Sequence, residues 1–179
     1  MILKKKKIVK IRKKGILFWI TGLSGSGKTS IAKKIYKSVL VKYGPTIIIS
    51  GDEIRRIYNL SKYSKKDRIN YALSYSKMCK HILNKKINVI LSTVSLFSEV
   101  RKWNRKNIEN YLEIYMKTSI NQVIKQKKKY FYRKKFSNVI GKDIKPDFPT
   151  HSNIIIENNF KRSISSLSKE LLKKIGEST

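Results

Sequence analysis

The chain carries one cysteine, Cys79, which excludes an internal disulfide and fits a reducing cytoplasm. Its two histidines, His81 and His151, stand far apart with no ligand spacing around them, so no metal site is expected beyond magnesium carried with a nucleotide. No apolar run approaches the roughly 18 residues of a membrane span. The opening Met1-Ile-Leu-Lys-Lys-Lys-Lys lacks the continuous apolar stretch of a signal peptide, and the short Ile16–Ile20 run leads into glycines. A cytoplasmic protein is therefore expected. Carboxylates are scarce, with 11 Asp and Glu against 42 Lys and Arg, for a formal charge of +31. The 34 lysines are scattered over nearly every expected element and outnumber the eight arginines, alongside abundant isoleucine and asparagine. An A/T-rich coding bias produces that pattern, whereas phosphate or base recognition leans on arginine. Specific nucleic-acid binding is not expected, although the field concentrates anionic nucleotides and holds polyanions weakly at low salt.

Against these absences stands one strong local signal. Ile16-Leu-Phe-Trp-Ile-Thr is an apolar run of strand character, and it opens straight into Gly22-Leu23-Ser24-Gly25-Ser26-Gly27-Lys28-Thr29-Ser30. Gly-x-x-x-x-Gly-Lys-Thr between a strand and a helix is the P-loop. Glycines at 22, 25 and 27 let the backbone wrap a phosphate with its N–H groups inward. Lys28 reaches the β- and γ-phosphates, the Thr29 hydroxyl ligates magnesium, and the following helix adds its positive dipole end. The segment from Gly22 to Ser30 is expected to bind ATP with magnesium.

The remaining pattern alternates strands and helices. Residues 1–15 form a basic extension, either a frayed tail or an edge strand. Strands are expected at 16–21, 46–50, 87–93, 111–116 and 153–156. Helices are expected at 30–43, 53–58, 64–83, 100–108, 120–128 and 163–175. That alternation means an α/β fold, a P-loop NTPase-type three-layer sandwich with a central five-stranded parallel sheet. With 179 residues, 40% of them apolar, and no internal linker, residues 16–179 read as one domain with a lid at about 125–148.

A second candidate site is Ser50-Gly51-Asp52-Glu53-Ile54-Arg55-Arg56, at the carboxyl end of the second strand, the edge where open parallel sheets hold ligands. Asp52 there can orient the magnesium shell or accept the proton of an attacking hydroxyl. The alternative is a helix N-cap carboxylate. One of Arg55 and Arg56 is expected to grip an anionic group of the acceptor. Tyr130, Phe131 and Tyr132 read equally as a stacking platform or as lid packing.

Phe18-Trp-Ile-Thr-Gly-Leu-Ser-Gly-Ser-Gly-Lys-Thr resembles the opening of the adenylyl-sulfate kinases. Ser50-Gly-Asp-x-x-Arg is similar to that family's Asp-Gly-Asp-x-x-Arg, and Asp67-Arg68 to its Asp-Arg pair. Leu91-Ser-Thr-Val-Ser95, Arg101 with Arg105, Tyr111-Leu-Glu-Ile-Tyr and Val139-Ile-Gly141-Lys-Asp143-Ile follow in the same order, covering about 16–158. The resemblance implies a homodimeric kinase that moves the γ-phosphoryl of ATP to the ribose 3′-hydroxyl of adenylyl sulfate, the sulfate-activation step. It places Lys28 and Asp52 in catalysis, with Thr29 and Asp52 at magnesium. Arg55 or Arg56, Arg68 and Lys129 fall to the acceptor. Ser95 falls where bacterial members have a phosphoserine position, but direct in-line transfer needs no protein nucleophile, and the residue itself reads as a buried serine ending a strand.

The chain also departs from that pattern. Ser50 replaces a carboxylate, Leu96 a proline, and Tyr71, Leu73 and Ser74 stand where the family has an asparagine and paired arginines. The lid stretch is Gln126-Lys-Lys-Lys129-Tyr-Phe-Tyr132, without the family's arginine, aspartate and glycine. Several changes cluster at the acceptor. A surface-polysaccharide branch resembles the chain at Ser95–Phe97 and Trp103–Ile108, which implies an alternative acceptor such as cytidine diphosphoramidate, also at its ribose 3′-hydroxyl. Other readings are a P-loop kinase for a sugar acid or nucleoside monophosphate, a nucleotide-dependent nucleic-acid binder, and a kinase that binds ATP without turnover.

Overall fold

Alternate residues of β1 (Leu17–Thr21) face opposite sides of a sheet, and all five are buried, so both sides must be covered. The computed structural model describes residues 13–126 and 137–179. Along this chain run β1, α1 (Lys28–Tyr43), β2 (Thr46–Ser50), α2 (Gly51–Ile57), α3 (Lys65–Asn84) and β3 (Asn88–Thr93). They are followed by α4 (Ser98–Asn107), β4 (Tyr111–Lys117), α5 (Ile120–Lys125), β5 (Ile154–Glu157) and α6 (Ile164–Ser178). The five strands pair in parallel in the order β2-β3-β1-β4-β5. This is the expected α/β three-layer fold.

The period-2 pattern of β1 assigns the two cores. Leu17 and Trp19 join Val89, Leu91 and Tyr115 on one face, beneath Ala72, Tyr75, Cys79 and Leu83 of α3 and Val100 of α4. Phe18 and Ile20 join Ile90, Ile114, Met116, Ile154 and Ile156 on the other, beneath α1 and α6. Trp19 is core, and Cys79 packs α3 onto the sheet, where burial pushes its thiol up to about 12. Among the described residues no helix is long and apolar enough to cross a membrane.

Boundaries shift where local contacts outweigh pattern. α1 starts at Lys28, inside the P-loop, two residues before the expected Ser30, with Gly27 at φ 95° as its N-cap. α2 starts at Gly51 rather than Glu53. A Cβ at Gly51 would stand 2.8 Å from Thr93 Oγ1, so only glycine lets the chain turn so close to β3. α4 begins at Ser98 and α6 extends to Ser178. Ile8, Val9 and Ile11 of the basic extension, read as a frayed tail or an edge strand, and the end of the 120–128 helix lie outside the described residues.

Candidate active site

β1 ends against the P-loop, and the glycines there have the conformations the motif demands. Gly22 lies at φ 150°, and a Cβ would come 2.5 Å from the Met116 carbonyl on β4. Gly25 (φ 85°) and Gly27 (φ 95°) take backbone shapes that favour glycine. The loop closes with Ser26 N–H donating to the Leu23 carbonyl at 3.1 Å. The buried Lys28 donates its ammonium to the same carbonyl at 2.7 Å. Thr29 Oγ1 is 3.4 Å from Ser92 Oγ at the end of β3, so two hydroxyls meet at the head of α1.

These residues form one wall of a cavity of about 620 Å³. Its other wall is Asn158, Phe160, Arg162, Ser163 and Ile164, after β5, none of which the sequence reading picked out. Asn158 is the tie: its Nδ2 donates to the Ser26 carbonyl at 3.0 Å, its side-chain oxygen accepts from Phe160 N–H, and its carbonyl accepts from Thr118. No motif spacing marks these residues. The one usable signal was topological, because parallel strands bring the loops after β1, β4 and β5 to one sheet edge.

A second cavity, about 730 Å³, is lined by Gly51, Asp52, Arg55 and Arg56 of α2. Ser24, Asp52, Thr93 and Val94 line both, so Asp52 stands on the shared wall. Asp52 is exposed in the first turn of α2 and Ser50 holds the N-cap position, so the capping alternative for Asp52 is not realised. Of the two competing arginines, Arg55 is tied down. It donates to the Leu60 carbonyl at 2.6 Å and the Lys62 carbonyl at 2.9 Å, and lies over the rings of Tyr63 (4.1 Å) and Tyr71 (5.1 Å). Arg56 is exposed on the cavity lining. Arg68 also lines it, donating to the Tyr63 carbonyl and, across the cavity, to the Asn138 carbonyl at 2.8 Å. Of the block Tyr71, Leu73 and Ser74, only Tyr71 reaches the cavity; Leu73 packs on the core and Ser74 donates to the Asn70 carbonyl.

Ser95 lies apart from this assembly. It is fully buried, lines neither cavity, and its carbonyl accepts from Thr21 Oγ1 at 3.0 Å. Lys129 and Tyr132, and the stacking stretch Tyr130–Tyr132, lie outside the described residues. The Gly-x-Asp loop is a clamp: the Asp143 carboxylate accepts from Val139 N–H at 2.9 Å, and Gly141 (φ 92°) sits against Leu23 of the P-loop and Ile120. Behind it, Arg101 and Arg105, one turn apart on α4, converge on the buried Glu113 of β4. Arg101 also binds both the carbonyl and the carboxylate of Asp147. Burial works against the Asp147 charge, but hydrogen bonds from Ser98 and Arg101 and the Arg101 charge outweigh it and hold the carboxyl below its ordinary value.

A phosphate-binding loop facing a second, arginine-lined cavity across one carboxylate defines a P-loop kinase of small molecules. The family described as adenylylsulphate kinase matches residues 14–157. A cytidine diphosphoramidate kinase of Campylobacter jejuni is 34% identical over 163 residues, covering 89% of this chain and 95% of that protein. An adenylyl-sulfate kinase of Pseudomonas aeruginosa is 30% identical over 154 residues, covering 82% and 78%. The APS kinase of Mycobacterium tuberculosis, solved with AMPPNP and APS, superposes with a TM-score of 0.81 at 23% identity over 92% of this chain and 99% of that one. The chain belongs to the adenylyl-sulfate kinase family.

Proposed function

We propose that this kinase transfers the γ-phosphoryl of ATP to the ribose 3′-hydroxyl of a nucleotide anhydride, with cytidine diphosphoramidate as its acceptor. The observation that carries the transfer is the position of Asp52 between the P-loop cavity and the arginine-lined one. One feature favours the cytidine compound. The Campylobacter relative bearing that name matches nearly end to end.

The donor is held by the N–H groups of the Gly22–Gly27 loop and by Lys28, against the wall built on Asn158. The hydroxyl of Thr29 and the carboxylate of Asp52 face the same cavity, and such oxygen donors suit a hard divalent cation. Magnesium held there with ATP would neutralise phosphate charge. Asp52 takes the proton of the 3′-hydroxyl as its oxygen forms the new bond to the γ-phosphorus. The bond from that phosphorus to the β–γ bridging oxygen breaks, and ADP leaves. Positioning and charge neutralisation dominate such a transfer. Arg56 and Arg68 face the acceptor's anhydride.

The second reading is adenylyl sulfate, supported by the Pseudomonas relative and by arginines that suit a sulfate equally well. Release of ADP from Mg-ATP, compared with cytidine diphosphoramidate, adenylyl sulfate or no acceptor, separates the two. Turnover confined to the cytidine compound supports the proposal. Turnover confined to adenylyl sulfate replaces it with the second reading, and silence with both removes them. The homodimer belongs to the same reading, and light scattering on the eluting protein checks it.

A further inference from the structure

The face of α3 that meets the second cavity is built by Arg68, Tyr71, Ala72 and Tyr75, at the three- and four-residue spacing of one helix side. Tyr75 is the deepest of the tyrosines there, with 6% of its surface exposed. Its hydroxyl is fully buried and has no hydrogen-bond partner among the described residues. Such orphans are few in native proteins, because leaving a buried hydroxyl unpaired is costly. Others occur here, at Trp19, Ser26, Ser95 and Asn104, but those residues line neither cavity. Among the described residues only Tyr75 and Arg55, whose Nε is likewise unpaired, combine an orphaned atom with a place on a cavity wall.

The surroundings say what such a group would meet. Tyr75 lines the same cavity as Arg55 and Asp52, and burial raises its pKa, so the phenol keeps its proton. Leu60, Tyr71, Ala72 and Ile140 make its part of the wall aromatic and apolar, suited to a nucleoside rather than to an anhydride. A neutral O–H in such a wall can donate to a base carbonyl or ring nitrogen, or accept from a ribose hydroxyl.

We propose that Tyr75 is a specificity-determining residue, whose hydroxyl hydrogen-bonds the nucleoside of the acceptor and finds its missing partner there. The inference rests on the proposed function and deepens it, because it assigns the apolar end of the second cavity to the nucleoside.

The test is Tyr75→Phe in the full chain, which removes one oxygen and nothing else. The acceptor KM should rise about five- to tenfold, the size of one neutral hydrogen bond, while the ATP KM stays unchanged. The melting temperature of the unliganded variant should stay level or rise, since the change deletes an unpaired buried group. A hydroxyl with a merely structural role would do the reverse, lowering the melting temperature and leaving the acceptor KM within twofold of wild type; that result overturns the proposal. Should wild-type protein turn over neither acceptor, the proposed function fails by itself. Tyr75 is then judged by the binding of cytidine 5′-diphosphate and adenosine 5′-monophosphate to the ADP-loaded protein. Weaker binding of one of them to the variant sustains the proposal; equal binding to both proteins, or none to wild type, overturns it.

Discussion

Replacing Glu113 by glutamine keeps its shape and removes its charge, and the consequence can be worked from its contacts. The side chain is fully buried. Oε2 accepts from Arg105 at 2.8 Å and from the Tyr111 hydroxyl at 3.2 Å, while Oε1 accepts from Ser152 at 3.2 Å and lies 3.9 Å from Arg101 Nε. A glutamine that turns its oxygen toward Arg105 and Tyr111 presents its NH₂ to Ser152, which can accept, and to Arg101, which cannot. Breaking a buried ion pair from one side costs about 3–5 kcal/mol. Two features reduce that here. Arg105 is 45% exposed and recovers water, and Arg101 keeps its two bonds to Asp147.

The expected loss is therefore about 2–3 kcal/mol, allowing for the retained hydrogen bonds to Arg105 and Tyr111. For a chain of this length that lowers Tm by about 5–10 °C. Urea unfolding of Glu113→Gln beside wild type gives the difference directly, as a lower midpoint at an unchanged slope. A loss below about 0.5 kcal/mol, or a gain, would refute the reasoning, because it would mean that desolvating the charges already cancels their attraction.

Lys28→Ala should abolish turnover with a melting temperature close to wild type; retained ADP release would remove Lys28 from the donor site. Asp52→Asn should lower kcat by about 10²–10⁴ while ATP affinity changes little, and kcat within threefold of wild type would exclude Asp52 as the base. Gly141→Ala must fit a Cβ 3.0 Å from Ile120 and 3.1 Å from Leu23 at φ 92°. It should cost about 1–3 kcal/mol and raise the ATP KM by pressing on the P-loop, and an unchanged Tm would deny the clamp. The lowered pKa of Asp147 means that its ionised form is favoured by folding. The stability this adds is complete above the ordinary value of 3.8 and is lost as pH falls below it through the folded-state value. A Tm gap between wild type and Asp147→Asn should thus be widest near neutral pH and close in that acid range; a gap independent of pH would contradict this.

The parts of the site that were legible are contiguous. Gly22 to Thr29 announce themselves because strand, loop and helix follow one another, and each glycine does the work its neighbours in sequence require. The opposite wall of the donor cavity was not legible, because Asn158 meets Ser26 only through the strand order that puts β4 and β5 beside β1. The substitutions on α3 were legible as changed residues but not as changed contacts. Leu73 turns to the core, and Ser74, on the same side as Tyr71 by its spacing, turns a short side chain back to the Asn70 carbonyl, so only Tyr71 meets the cavity. Tyr75, one turn further along on the same side as Tyr71, matches no motif; its unpaired hydroxyl exists only in three dimensions.

The two cavities differ in the kind of sequence that builds them, and this bears on how acceptors diverge. The donor wall leaves little room for change: a Cβ at Gly22 would strike the β4 backbone, and one at Gly51 would strike Thr93. The acceptor wall is one face of α3 together with the residues after α2, where a side chain can change without moving any strand. On the proposed reading, a side chain changed on that lining alters which acceptor is held and leaves Lys28 and Thr29 in place. Asp52 belongs to both walls, so on the proposed reading it serves whichever hydroxyl the second cavity presents. Grafting Arg onto positions 73 and 74 should then do little by itself to recover an adenylyl-sulfate preference, because neither side chain reaches the cavity. A large switch toward adenylyl sulfate in Leu73→Arg/Ser74→Arg would show that α3 turns its face when the acceptor binds, and would undo this argument.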